Sequence, residues 1–381
     1  MAAATAAQHQ ESSASQQHRE LILVKNRSCL ESLLRVKESG THQYKADSLP
    51  ARLNRNVYGG QLCAQALLIA YKTVHSGFLA HSLHSNFIFA GKLNETIDYK
   101  VKIIKDAKRF ALRHVYASQS GTVMFFASIS FHAMAVGGPS HQKRIKQARI
   151  PPPSSVVNEQ ESLYQLSLDE RLTRQTREKF LEISRKPTAV EIRRIDPAHI
   201  IYPTKQEPLL YQWMKSVGPL NVEPVVHHCL LAYASDSSMT SVALRPHGIG
   251  LGDPRIRVVS LDHSIWFHED FRADEWMLFE MESPVTTNGR GLIHGHVYDK
   301  ADEVQVVVLI FLSQYTRLQS MSNCSPLLKG LFALICGLLS SGTSNIGCTR
   351  SVGRLVQFGR QCSESLFSAG ETHAANFGYA P

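Results

Sequence analysis

What this sequence lacks narrows it before any motif is read. No stretch reaches the ~20 consecutive apolar residues of a bilayer-spanning helix. The longest late apolar run, Leu331 to Leu339, is broken by Gly337. Met1 to Gln17 is mostly Ala, Gln and Ser, without the apolar centre of a secretory signal, so the expectation is an intracellular chain. The seven cysteines include no CxxC pair, and four of them (Cys324, Cys336, Cys348, Cys362) crowd into the C-terminal end. That spacing predicts neither a disulfide framework nor a metal site. A Gly-x-Ser-x-Gly elbow is absent as well, which argues against a serine nucleophile of that type. No cofactor is expected.

What is present is ordinary globular material: 381 residues, 43% hydrophobic and 19% charged. That length allows two domains or one large one, each half able to bury its own core. The formal net charge of +9 has two readings: a solubilising surface with a basic linker, or attraction for a polyanion. Coenzyme A, with its phosphates, would qualify. Nucleic acid is not expected, because no nucleic-acid-binding motif accompanies the charge.

Along the chain, residues 1–18 are low-complexity and expected to be disordered. A helical pattern spans Leu21 to Val36. Cys63 to Val74, rich in Ala and Leu, reads as a buried helix with Gly59-Gly60 at its N-terminal end. Strand patterns follow at His81–Phe89, Thr96–Lys105, Phe110–Ser118 and Thr122–His132. Gly137-Gly138-Pro139, the basic residues Lys143, Arg144, Lys146 and Arg149, and Pro151-Pro152-Pro153 mark a linker. The outline then repeats. Strands at Val190–Arg194 and Tyr211–Lys215 precede an apolar helix, His227 to Asp236. Strands follow at Arg255–Leu261, Ile265–His268, Trp276–Ser283, Arg290–Tyr298 and Val304–Leu312. Helix then sheet, twice, is a duplication at the level of element order. The expected divisions are 1–18 (disordered), 19–136 (first domain), 137–189 (linker), 190–316 (second domain) and 317–381 (an atypical tail).

Two stretches carry a family signal. One is Tyr58-Gly59-Gly60-Gln61 through Gln65-Ala66-Leu67, with His81-Ser82-Leu83-His84 and Phe87 to Gly91. The other begins Ala232-Tyr233-Ala234-Ser235-Asp236 and Leu244-Arg245-Pro246-His247-Gly248. It continues through Ser260-Leu261-Asp262-His263-Ser264-Ile265-Trp266-Phe267-His268 to Arg290-Gly291. Over roughly residues 20–308 the chain resembles the TesB-like (type II) acyl-CoA thioesterases. The resemblance implies an α+β double hotdog, in which each half wraps an antiparallel sheet around a long helix. It also implies hydrolysis of a fatty acyl-CoA to fatty acid and coenzyme A, with homo-oligomers possible.

In that family an Asp, a Ser or Thr and a Gln hold the attacking water. By resemblance these map to Asp236, as the base, and Ser260, which hydrogen-bonds the water. No covalent intermediate is needed. From composition alone Asp236 would read as a helix-terminal carboxylate. Gly59, Gly60 and Gln61 are candidate substrate-binding residues, since free N–H groups at a helix start bind an oxyanion or phosphate; a turn is the other reading of the glycine pair. Asp262 with His263, and His81 with His84, read as structural, and Trp266 and Trp276 as core. The third family residue is out of place: ungapped counting from Tyr298 sets Ile310 where Gln is expected, and Gln314 stands four residues on, about 13 Å along a strand. An acyl-CoA-binding relative with an incomplete water site is therefore the alternative. The resemblance implies the peroxisomal matrix, but the sequence ends Gly378-Tyr379-Ala380-Pro381 and not Ser-Lys-Leu, so the cytoplasm is a second expectation.

Overall fold

The structure is a computed structural model, which describes residues 25–49, 56–133, 139, 141–142, 150–196, 204–220, 223–250, 256–299 and 304–316. The expected disordered N-terminus (1–18), the basic run 143–149 and the tail beyond Thr316, with its four cysteines, lie outside these residues.

Two buried helices organise the fold. Helix α1 covers residues 25–33. Helix α2, Gly59–Tyr71, has the sequence GGQLCAQALLIAY, rich in strong helix formers and free of proline. It is apolar nearly all round and buried from Gly60 through Leu67, as expected of a helix enclosed on every side. Helix α5, Pro224–Ala234, is its counterpart. It starts with proline in the first turn, where the missing N–H costs nothing.

Strands β1 (Lys37–Gly40), β2 (Gln43–Ala46), β3 (Phe78–Phe87), β4 (Ile97–Asp106), β5 (Phe110–Gln119) and β6 (Thr122–Ala133) belong to the first half. Strands β7 (Val190–Arg194), β8 (Leu209–Ser216), β9 (Ile256–Phe267), β10 (Met277–Thr287), β11 (Arg290–Tyr298) and β12 (Val304–Thr316) belong to the second. All twelve form one sheet in the order β1-β2-β4-β5-β6-β3-β9-β12-β11-β10-β8-β7. Read from either edge inward the order is equivalent, so the sheet is a palindrome. The halves meet where β3 runs antiparallel to β9, from Ser82 opposite Trp266 to Asn86 opposite Asp262. Turn chemistry matches across the halves. Ser120-Gly121 and Asn288-Gly289 both take positive φ, the twist that two-residue hairpins require. One core cluster joins the inner faces of both half-sheets to α2 and α5.

Three expectations are corrected. The two strands expected at 255–261 and 265–268 are one, β9 (Ile256–Phe267), because Asp262, His263 and Ser264 between them stay paired with both β12 and β3. The interval 137–189 holds two helices, α3 (Glu159–Ser167) and α4 (Arg174–Ser184), capped by Asn158 and Thr173. Upstream of α2, β1 and β2 form a hairpin over part of the sequence that carried no strand reading. A short helix, α6 (Met239–Val242), follows α5.

Candidate active site

The N-terminus of α2 meets the C-terminus of α5, and two glycines permit the approach. A Cβ on Gly60 would collide with the Tyr233 carbonyl oxygen and lie 2.6 Å from the Tyr58 ring. Tyr58 Oη donates to that same carbonyl at 3.0 Å, and the two tyrosine rings pack edge to face. On Gly59 a Cβ would lie 2.8 Å from Asp236 Oδ2 and 2.9 Å from the Phe87 ring. The aromatic edge and the carboxylate therefore face each other across a residue with no side chain.

Asp236 stands two residues beyond the end of α5. Its Oδ2 accepts the Gly60 N–H at 3.0 Å, so the positive end of α2 supports the charge. Oδ1 is buried without a hydrogen-bond partner. The residue as a whole keeps some accessible surface, yet this oxygen has none to spare. Loss of hydration raises the carboxyl from its ordinary 3.8 to about 7, and the Gly60 N–H and the Ser260 hydroxyl offset only part of that rise. A carboxylate poised near neutrality is suited to take a proton from water.

Ser260 reaches this face through a bulge. On β9, Ser260 is opposite Leu312 and Asp262 opposite Phe311, which leaves Leu261 as the extra residue. Strict alternation would send Ser260 and His263 to opposite faces; the extra residue brings both to the helix side. His263 is fully buried. Its Nε2 lies 3.2 Å from Ser235 Oγ and its Nδ1 3.7 Å from Cys63 Sγ. Burial drives its pKa down to about 3, so the ring is neutral. Ser235 Oγ donates to Ala232 O, which leaves it to accept from Nε2–H.

Asp236 and Ser260, the pair singled out by the resemblance, are thus brought together with Gly59 and Gly60. Gln61 is not free to join them: its Nε2 donates to Asp47 O at 2.9 Å and its Oε1 accepts from Leu49 N at 3.0 Å. The side chain pins the segment before α2, beside a buried Gln65–Tyr99 bond. His84 alternates with buried Leu83 and Ser85 along β3, on the far side of the sheet, where it meets Ser264 Oγ. His81 meets Ser130 Oγ. Trp266 packs against the His84 ring. Trp276 lies under Arg193 and Lys215 and joins an outer cluster over Trp213, Leu278 and Tyr298. Neither tryptophan belongs to the main core: Trp266 on β9 and Trp276 just before β10 both face away from it.

Residues 49–132 match the acyl-CoA thioesterase N-terminal domain, and residues 199–317 match the acyl-CoA thioesterase family. Acyl-coenzyme A thioesterase 8 of Mus musculus is 32% identical over 249 residues, covering 64% of this chain and 76% of the relative. The chain belongs to the TesB-like acyl-CoA thioesterase family. Acyl-CoA thioesterase II TesB2 from Mycobacterium marinum superposes with a TM-score of 0.60 at 27% identity, over 76% of this chain and 100% of that one. A hot dog fold protein from Alicyclobacillus acidocaldarius superposes with a TM-score of 0.60 at 14% identity, over 76% of this chain and 98% of its own, a likeness of fold alone. The double hotdog expected from the sequence is borne out.

Against the family pattern of Asp, hydroxyl and Gln, the register of β12 gives a third answer. Ile310 is buried opposite His263, Leu312 stands opposite Ser260, and Gln314 stands opposite Val258. Gln314 is therefore one diagonal step from Ser260 in this thioesterase sheet. The matching positions in the other half carry neither an aspartate nor a serine. Two residues past α2, where Asp236 has its counterpart, stands Thr73, held by Arg113 Nε at 2.9 Å. Before the matching bulge of β3 stands Ala80, in the place of Ser260. Arg113 is 1% exposed and also binds Thr73 O, Lys105 O and Asp106 Oδ1.

Proposed function

We propose that this chain hydrolyses a fatty acyl-CoA to the free fatty acid and coenzyme A, using a water activated by Asp236. The observation that carries this is the Asp236 carboxylate itself: one oxygen fixed by the Gly60 N–H, the other buried and unpartnered, at the meeting of the two helices. Water held by the Asp236 carboxylate and the Ser260 hydroxyl attacks the thioester carbonyl carbon while Asp236 takes its proton. The C–S bond of the tetrahedral intermediate then breaks, and the coenzyme A sulfur takes the proton back from Asp236, so that the thiol leaves and the carboxylate is restored. Gly59 leaves room beside the base, and Gly60 holds it. Gln61 supports α2 from behind.

The tandem limits 19–136 and 190–316, with 137–189 between them, are our reading of the domain division. For location, the peroxisomal matrix is the family-level proposal, and imaging of the tagged full chain tests it against the cytoplasm. Among the described residues no helix is long and apolar enough to cross a membrane.

The test is release of free thiol from palmitoyl-CoA. Saturable release that is lost in Asp236→Asn and reduced about a hundredfold in Ser260→Ala supports the reading. A second reading, an acyl-CoA binder without turnover, is favoured by Leu312 standing opposite Ser260. Tight binding of palmitoyl-CoA with thiol release at background would establish it. Self-association is a further proposal, tested by sedimentation.

A further inference from the structure

The turn that carries Asp236 is tied to the sheet at both ends. At Ser235 the tie is His263 on β9. At the other end Ser238 Oγ donates to Gln212 Oε1 on β8 at 2.7 Å. Ser238 has φ of +73°, a left-handed conformation that residues with a Cβ rarely adopt unless something holds them there. Its carbonyl is engaged as well, accepting from Ser241 N and Oγ at 3.0 and 2.6 Å, where α6 begins. The backbone either side of the carboxylate is thus held by hydrogen bonds, and the Gln212 bond falls at its strained residue.

Gln212 is costly where it stands. It is 0% exposed and lies between Leu210 and Met214 on the inward face of β8, both part of the main core. Its Nε2 is buried with no hydrogen-bond partner. An apolar side chain would fill this slot without burying an unpaired amide. The bond to Ser238 is the polar contact that accounts for a glutamine here.

We propose that Gln212 is a positioning residue for Asp236. By holding Ser238 in the left-handed region it fixes the turn from Ser235 to Ser238, and with it the direction of the carboxylate. Gln212 acts through the backbone and touches neither water nor substrate. The proposal rests on the reading of Asp236 as the base.

The test is steady-state thiol release from palmitoyl-CoA by the full chain. Gln212→Leu lowers kcat about tenfold, the scale of a small misplacement of a reacting group, and leaves KM unchanged. Ser238→Ala, which removes the donor but keeps a Cβ at positive φ, gives the same loss without touching the core, so the test survives if Gln212→Leu fails to fold. Glycine adopts positive φ unaided. In a Ser238→Gly background, kcat therefore becomes insensitive to Gln212→Leu, a rescue that general core damage would not show. Wild-type kcat in Gln212→Leu or Ser238→Ala overturns the proposal, as does an undiminished Gln212→Leu loss in the glycine background. If Asp236→Asn also keeps full kcat, the assignment of the base has failed, and this proposal with it. Loss in Asp236→Asn beside full activity in the others sinks the positioning role alone.

Discussion

Replacing Asp236 by Asn should trade activity for stability, and the trade should depend on pH. In the folded protein the carboxyl titrates near 7, against an ordinary 3.8, because burial removes its hydration. That interval is about three decades of proton affinity, which at about 1.36 kcal/mol per decade amounts to about 4 kcal/mol. The sign follows from which state holds the proton more tightly. Between pH 4 and 7 it is the folded state, so the stability tied to this group is intact below about pH 4 and is lost as pH rises through 7. Asn carries no such proton and escapes the loss. Its Oδ1 can still accept the Gly60 N–H. The variant should therefore match the wild type near pH 4, exceed it by about 2 kcal/mol near pH 5.5 and by about 4 kcal/mol at pH 8. Urea melts of both proteins across this range measure the difference. The same titration should appear in wild-type catalysis, with kcat/KM rising tenfold per pH unit and levelling near pH 7. A stability difference that does not change with pH, or a flat activity profile between pH 5.5 and 8, would refute the account of this carboxylate.

The remaining predictions concern neighbouring parts of the fold. Gly60→Ala places a Cβ against the Tyr233 backbone carbonyl, which cannot swing aside; thermal melts should show a loss of several kcal/mol, on the order of an overpacked core. Gly59→Ala meets side-chain atoms of Asp236 and Phe87 instead of backbone, so the melt should change little while kcat falls at least tenfold. Arg113→Met removes a buried cation from Asp106, whose own side chain is 48% exposed and can rehydrate. It should cost about 3 kcal/mol in denaturant melts with kcat unchanged. Gln314→Ala should reduce kcat less than tenfold, as befits a diagonal register position, where side chains interact weakly. A hundredfold loss would instead make Gln314 the third water ligand.

The elements with strong periodicity were the legible ones. Arg290–Tyr298 and Val190–Arg194 have the strand limits read from the alternation. The buried helix α2 was visible because Ala and Leu run through it without a breaker. The bulge at Leu261 was not visible. It depends on pairing with β12, and without it Ser260 could be assigned by resemblance only. The helices α3 and α4 did leave a signal, Asn158 three residues before Glu161 and Thr173 three before Thr176; the prolines 151–153 just before α3 obscured the first. The direction of the Gln61 side chain was illegible for a different reason. Position beside Gly59-Gly60 says nothing of where a side chain points, and this one turns back toward Asp47 and Leu49. Gln212 was passed over because a single polar residue inside a strand pattern is unremarkable until its burial is known.

The unequal ends of the palindromic sheet bear on how the chain meets its substrate. The repeated element order presents two equivalent junctions between a helix start and a helix end. At one, Arg113 clamps Thr73 with a full set of hydrogen bonds; at the other, a carboxylate with one unpartnered oxygen lies beside two glycines. A dimer of identical hotdogs must give both junctions the same residues, and so the same compromise between firmness and reactivity. Fusing them into one chain lifts that constraint, and each junction has settled on a different side of it. A single chain should accordingly bind one acyl-CoA at saturation, with no cooperativity between its halves.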